Sequence, residues 1–378
     1  MKKMFKMVGL SILGIIVFGV IGITVFMSCS PQFGDSLSKQ QKAEYEKLSN
    51  FKKGKFQNLQ PSPMDMNFRK VFKEMMNKSP NRSPKESIPV QKIDSTDIAN
   101  YKSVQTRLTW FGHSSFLLEM DGKKILIDPM LSKKPSPVSF SGPTRYSEEP
   151  PITAEKLPNI DAVILSHDHY DHLDYKTIKT IKNKVGQFYA PLGVGNHLKD
   201  WGVNDSIIHE LNWGDSIHFE HIKLACTPAR HFSGRGLFDR ATTLWCSWVI
   251  QGKNDNIFFS GDSGYGKHFK EIGEQYGPFD ISLIECGQYN ENWKFIHMMP
   301  EETAQAAADL KSKLMMPIHW GAFTLAFHDW TDPIKRSLAK ANELKIPVTT
   351  PKIGEPIIIG SEGIPQEKWW KSFVSEEN

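Results

Sequence analysis

The pattern of apolar and polar residues divides the chain into stretches of different texture. Residues 8–27 form an apolar run without a charge, long enough at 1.5 Å per residue to cross a bilayer. From residue 28 to about 104 no strand pattern is sustained. Residues 36–48 read as a short polar helix, and Phe68, Val71, Phe72 and Met75 recur at helical spacing opposite Arg69, Lys70 and Lys73. Two readings fit that basic amphipathic helix: it lies on a lipid surface, or it caps the folded domain. Pro80, Pro84 and Pro89 then mark a linker. From Arg107 onward short β-rich runs appear, at 107–111, 115–120, 124–128, 162–165, 187–190, 222–228, 243–250, 256–260 and 281–286. Helices fall between some of them. Asp174 caps one running to about Lys184, Pro300 and Glu301 open another through Ala304 to Lys311, and Asp332 with Pro333 forms an N-cap and N1 pair ahead of inward Ile334, Leu338 and Ala341. Strand runs with intervening helices predict a sheet-based α/β domain.

This gives a division into a cytoplasmic N-terminus (1–7), a transmembrane anchor or signal segment (8–27), a linker and N-terminal extension (28–104), the sheet-based domain (105–360) and a C-terminal tail (361–378). Lys2, Lys3 and Lys6 precede the apolar run, which keeps the short N-terminus cytoplasmic and places the rest, membrane-attached, on the exported side. An uncleaved signal anchor is one reading. A lipoprotein signal ending before Cys29, with Ser28 as the small residue ahead of it, is the other; Phe26 and Met27 fit that cleavage site poorly, and the run is long for a signal segment.

Charge removes one class of partner. Lys2, Lys3 and Lys6 account for three of the 46 basic residues, and the remainder balances 43 against 42 acidic ones. A nucleic-acid partner calls for a basic surplus; none is expected, and a ribonuclease is disfavoured on the same ground. The four cysteines, Cys29, Cys226, Cys246 and Cys286, make no C-x-x-C pair and no disulfide framework. They are expected as buried thiols, with one pairing left open between Cys226 and Cys246 on consecutive strands.

The strongest chemical signal is Ser166-His167-Asp168-His169-Tyr170-Asp171-His172, following an apolar strand and preceding a helix. Alternation in its extended part sends His167 and His169 to one side, and the following turn swings Asp171 and His172 to another, so one loop can feed two adjacent metals. Zinc takes imidazole and carboxylate ligands and leaves a position open for catalytic water. His231, Asp262 and His319 each close a β-rich run, where strand ends on one rim can converge with that loop.

His167, His169, Asp171 and His172 match the H-x-H-x-D-H signature of the metallo-β-lactamase superfamily. Several stretches resemble its N-acylphosphatidylethanolamine phospholipase D family: Trp110-Phe111-Gly112-His113, Leu126-Ile127-Asp128-Pro129, Thr227-Pro228-Ala229-Arg230-His231, Gly261-Asp262-Ser263-Gly264-Tyr265, Gly277-Pro278-Phe279-Asp280 and Ile318-His319-Trp320-Gly321-Ala322-Phe323. The resemblance covers about residues 105–360. It implies a four-layer αββα sandwich and two Zn2+ ions on one edge of the sheets. By this resemblance His167, His169 and His231 hold one zinc, Asp171, His172 and His319 hold the second, and Asp262 bridges them. Asp128 matches a residue that orients the ligands, His113 lies in a matching motif beside them, and His297 aligns near the substrate site. The implied reaction is attack by a metal-bound hydroxide on the phosphodiester of N-acylphosphatidylethanolamine, giving an N-acylethanolamine and phosphatidate. Asp262, a metal-bound water and His297 are the candidate proton donors. A phospholipid substrate and a membrane are therefore the expected partners. The other phospholipase D chemistry needs H-x-K-x-x-x-x-D, and its one near match, His221 and Lys223, has Pro228 at the Asp position. A lactonase or another hydrolase on the same site, and a non-enzymatic binding module on this fold, are the alternatives.

Overall fold

A computed structural model of the protein, describing residues 2–65, 67–76 and 79–374, places the apolar run within helix α1 (Lys2–Cys29). Its described side chains from Phe5 to Phe26 are exposed, Phe18 at 80%, so the rest of the described protein leaves most of the helix uncovered. The next stretch is not a bare linker. Helix α2 (Lys39–Tyr45) starts at a reciprocal cap between Ser38 and Gln41. A hairpin of β1 (Phe51–Lys52) and β2 (Lys55–Phe56) follows, and its two phenylalanines are buried with Tyr45, Leu244 and Trp245. Helix α3 (Phe68–Met76) presents Phe72 and Met75 outward, while Glu74 accepts hydrogen bonds from the side chains of Asn290 and Asn292. The Glu74 bonds place one polar contact between α3 and the domain. Ahead of α4 (Ser95–Asn100) the chain has already joined the domain, through Ile88 N–H to Tyr146 O and Gln91 N–H to Ile353 O.

The domain runs β3 (Arg107–Trp110), β4 (Phe116–Met120), β5 (Lys123–Ile127), β6 (Ile160–Ile164), α5 (Tyr175–Ile181), β7 (Val185–Pro191), α6 (Gly195–Asp200), β8 (Ile208–Leu211), β9 (Ser216–Phe219), β10 (Ile222–Thr227), β11 (Ser247–Gln251), β12 (Asn256–Phe259), α7 (His268–Tyr276), β13 (Ile281–Glu285), α8 (Pro300–Asp309), β14 (Met315–Ile318), α9 (Asp332–Glu343) and β15 (Pro356–Ile358). One sheet has the order β15-β3-β4-β5-β6-β7-β8 and the other β14-β13-β12-β11-β10-β9.

Both sheets are covered on both faces, which is why their strands read as apolar runs and not as clean alternations. Alternate residues serve different layers. Phe116, Leu118, Ile125 and Ile127 of the first sheet meet Cys226, Trp248, Ile250 and Phe259 of the second in the central core. Leu117, Leu126 and Val163 face outward to Ile178 and Ile181 of α5. Val249, Phe258 and Ile284 face outward to Phe269 of α7 and Ala304 and Leu310 of α8. The architecture is the four-layer αββα sandwich. Strands β5 and β6 run parallel, as do β12, β13 and β14, and β10 shares the direction of β12 through two antiparallel steps. Their C-terminal ends therefore open on one edge.

Three sequence expectations change. The N-cap of α9 is Thr331, with Asp332 already inside the helix. Cys29 is exposed, and Cys226, Cys246 and Cys286 are buried free thiols, so Cys226 and Cys246 are not bridged. Trp369 and Trp370, in the stretch expected as a tail, are buried in the central core, where Trp369 stacks on Trp320 at 5.5 Å. Deleting a buried tryptophan costs about 3–5 kcal/mol. Trp369→Ala is expected to lower the stability of the detergent-solubilised chain by that amount in a urea titration. A loss below about 1 kcal/mol would mean the C-terminal segment is dispensable.

Candidate metal centre

Every expected ligand lies at the open edge. The turn after β6 carries His167 to His172 before α5 begins, with Asp174 capping that helix through the N–H groups of Lys176 and Thr177. Asp128 follows β5, His231 follows β10, Asp262 follows β12 and His319 follows β14. Backbone strain is present here: His113, Asp128, Gln288 and His319 all have positive φ, a conformation that costs a non-glycine residue free energy. Gly261, at φ 56°, is required ahead of Asp262, because a Cβ there would lie 2.7 Å from Cys246 O.

Two clusters share one carboxylate. His167 Nε2 and His231 Nε2 lie 2.9 and 3.2 Å from His169 Nδ1, and each is 3.7 Å from Asp262 Oδ2. The other oxygen, Asp262 Oδ1, is 3.1 Å from His172 Nε2. That imidazole is 3.6 Å from Asp171 Oδ2, which is 4.0 Å from His319 Nε2 and 2.8 Å from His113 Nε2. The arrangement thus divides into His167, His169, His231 and Asp262 on one side and His113, Asp171, His172 and His319 on the other. The structure moves His113 closer than a supporting role required, into direct contact with Asp171.

The partners of the outer ring nitrogens aim the inner ones. His172 Nδ1 donates to Asp128 Oδ2 at 2.7 Å, and Asp128 Oδ1 accepts from Ser166 N–H at 2.7 Å. His231 Nδ1 donates to Ile296 O at 2.7 Å. Such outer hydrogen bonds fix the tautomer and leave the inward nitrogen as a lone pair.

The donor set fits divalent cations. Tetrahedral zinc with bonds of about 2.0–2.2 Å places its ligand atoms about 3.3–3.6 Å apart, and the first cluster spans 2.9 to 3.7 Å. His172 Nε2 and Asp262 Oδ1 are buried without a hydrogen-bond partner. Burial and neighbouring imidazoles hold His167 well below its ordinary pKa; burial also lowers His169, His231 and His319. These rings are neutral at pH 7, as ligands must be. His172 goes the other way: burial opposes its charge, yet Asp262, Asp171 and Asp128 raise it well above the usual value. Burial would likewise raise Asp262, but His172 beside it brings its carboxyl down to about 2. The field at that point calls for a positive charge.

His297 lies at the mouth, its ring 4.9 Å from His231 and 5.3 Å from His319. Its Nδ1 is 3.1 Å from Glu285 Oε2, a residue the sequence reading did not single out. Glu285 is fully buried and also accepts N–H from Ser263 and Met298; burial pushes its carboxyl up to about 7. Two other groups escaped the sequence reading. Asn58, in the N-terminal extension, makes reciprocal bonds to the backbone of His231, at 2.8 and 3.1 Å. Asp168 is buried and accepts from Gly234 N–H and Thr243 Oγ1, and its carbonyl accepts from Arg235. Cys286 is buried with its thiol toward Ile318 O and belongs to the packing.

Comparison with known proteins gives a consistent picture. The family described as "Beta-lactamase superfamily domain" matches residues 123–320. An uncharacterized protein of Mycobacterium tuberculosis is 40% identical over 324 residues, covering 84% of this chain and 86% of its own length. N-acyl-phosphatidylethanolamine-hydrolyzing phospholipase D 1 of Caenorhabditis elegans is 33% identical over 275 residues, 68% of this chain and 76% of that protein. Among solved structures, the metallo hydrolase Igni18 of Ignicoccus hospitalis superposes with a TM-score of 0.51 at 21% identity, covering 68% of this chain and 100% of its own; at that identity it bears on the fold alone.

Asp128 gives the first test of this geometry. Asp128→Asn keeps the shape but weakens the hold on His172 Nδ1. Metal affinity is expected to fall about 10–100-fold in competition with a chelator, with an unchanged circular dichroism spectrum. Unaltered affinity would show that the Asp128 contact does not set the ligand.

Proposed function

Because this chain belongs to the metallo-β-lactamase superfamily, and within it to the N-acylphosphatidylethanolamine phospholipase D-like family of metal-dependent hydrolases, we propose that it hydrolyses N-acylphosphatidylethanolamine-like phospholipids to an N-acylethanolamine and phosphatidate. The observation that carries this reading is the seating of the α1 end against the metal loop. Phe33, just past α1, contacts Tyr170 edge-on at 6.4 Å, and Tyr170 stands between His169 and Asp171. Trp201 Nε1 donates to Pro31 O at 2.6 Å and Arg235 Nε to Gln32 O at 2.8 Å, which fix the same segment. With α1 taken as a membrane anchor, a lipid is the substrate class nearest the site, and the domain lies on the exported face.

In this reading His167, His169 and His231 would hold one Zn2+ and Asp171, His172 and His319 the other, with Asp262 facing both. Bound metals supply Lewis acidity and an ionised water at neutral pH. Asp171 and Asp262 leave the site with a net positive charge against two divalent cations, which favours a phosphodiester and the extra charge of its transition state. Asp128 and Ile296 O keep the inner nitrogens of His172 and His231 on target. Water adds to phosphorus as the bond to the ethanolamine oxygen breaks, and that oxygen must gain a proton. His297 is placed to give it: burial works against its charge, but Glu285 raises its pKa and occupies Nδ1, leaving Nε2 for the substrate.

The test combines metal analysis with a lipid assay on the full chain in mixed micelles. Two zinc ions per chain and release of N-acylethanolamine are expected; turnover of lactones with no phosphodiester cleavage would overturn the assignment. Asp262→Asn removes the negative charge of the shared carboxylate and should lose at least about 100-fold in kcat with the fold retained. Near-normal turnover would remove Asp262 from its assigned role.

A further inference from the structure

One cavity among the described residues lies away from the metal centre. It encloses about 670 Å3 where α1 meets the domain, within the range of about 300–1,000 Å3 usual for small-molecule sites. Phe26 of α1 forms one wall, and the loop after β5 and the start of α5 form others. Helix α1 offers 25 residues, Phe5–Cys29, or about 37 Å of helix against a hydrocarbon core of about 30 Å. With α1 across a bilayer, Phe26, one turn from its end, would reach the edge of the hydrocarbon core.

Lys133, Lys134 and Lys176 line the cavity, and none has an ion-pair partner among the described residues. Two carboxylates share the walls. Asp174 is engaged by Ser132 and by the first turn of α5; Glu155 is the one acidic group left to oppose the lysines. Arg235, 4% exposed, lines the cavity with Nη2 unpartnered, and Gln32 lines it with Oε1 unpartnered. The Arg235 guanidinium packs over the rings of Tyr170 and Trp201 at 4.1 and 5.1 Å, behind the lysines, and adds to the positive charge of the wall that a bound anion would balance. Beside the cavity Phe140 is 85% exposed, and past Arg235 Leu237 and Phe238 are 66% and 86% exposed. Met27 of α1 approaches Gly236 within that same loop.

We propose that this cavity is a phospholipid site separate from the metal centre. An anionic phosphate headgroup lies among Lys133, Lys134, Lys176 and Arg235, and the acyl chains leave along Phe26 and Phe140 into the bilayer. The site rests on the reading of α1 as a membrane anchor, but not on the reaction at the metals. Arg235 ties it to the catalytic loop, since Nη1 donates to Asp168 O and Leu173 O on either side of His169–His172. The lipid held there orients the domain on the membrane.

The probe is phosphatidylglycerol in nanodiscs, with the full chain and with Lys133→Gln/Lys134→Gln/Lys176→Gln. Retention of phosphatidylglycerol is read by native mass spectrometry after transfer to detergent. The triple variant is expected to lose at least about tenfold in apparent affinity, with unchanged metal content and unchanged hydrolysis of a soluble phosphodiester. A control triple of exposed lysines on the other side, Lys267→Gln/Lys270→Gln/Lys294→Gln, should retain the lipid. Equal loss in both variants means general charge attraction, and equal retention in both means no site; either overturns the proposal. Displacement of the lipid by millimolar inorganic phosphate would reassign the cavity to free phosphate. Loss of the lipid on chelation of the metals would place it in the catalytic centre instead. Lipid retention and metal content do not depend on hydrolysis of N-acylphosphatidylethanolamine, so the two readings fail separately.

Discussion

A carboxylate as deeply buried as Asp262 keeps its charge only if positive charge lies within bonding distance on every side it faces. Its two oxygens face different histidine clusters, Oδ2 toward His167 and His231, Oδ1 toward His172. That double demand explains much of the surrounding structure. The loop after β6 must reach both clusters, so it cannot continue as helix until Tyr175. The turn after β12 must bring Asp262 under Cys246 O, so glycine precedes it. Asp128 and Ile296 O must occupy the outer ring nitrogens, so the inner ones stay free to face the shared carboxylate. The positive φ values of His113, Asp128 and His319 are the strain left by these requirements, held in place by packing that admits few alternatives.

Much of this was legible from the chain. An apolar strand running into Ser166–His172 identifies a metal loop because so many nitrogen and oxygen donors within one turn have no other common use. His231, Asp262 and His319 are single residues, readable only because each ends a β-rich run and because the resemblance aligns them. The shared direction of β5, β6, β10 and the parallel trio β12–β14 is what turns those separate endings into one edge. The two-sided burial of the sheets was also legible, in runs such as 116–120 and 281–285 that lack a polar alternate.

What escaped is equally physical. Glu285 closes an apolar strand, and its partner His297 lies across a loop, so no local pattern pairs them. Asn58 and Asp168 act through backbone groups, which a sequence does not display. Trp369 and Trp370 follow a polar stretch and fill a gap between sheets that exists only after folding. The extension of 28–104 lacks periodicity because it is laid over the domain by isolated anchors, Tyr45, Phe51, Phe56 and the backbone of Ile88 and Gln91, and not by a continuous face.

Those scattered anchors have a practical meaning for anyone wishing to separate the domain from its apolar helix. Asn58 grips the backbone on both sides of His231, and Pro31 and Gln32 are held by Trp201 and Arg235. A shortened chain beginning at the first β-rich run would shed a clasp on one metal-facing histidine along with the greasy leader. A cut in the narrow interval between Cys29 and Pro31 keeps those clasps and gives up only the contacts that Phe26 and Met27 make with Phe33 and the loop at Gly236.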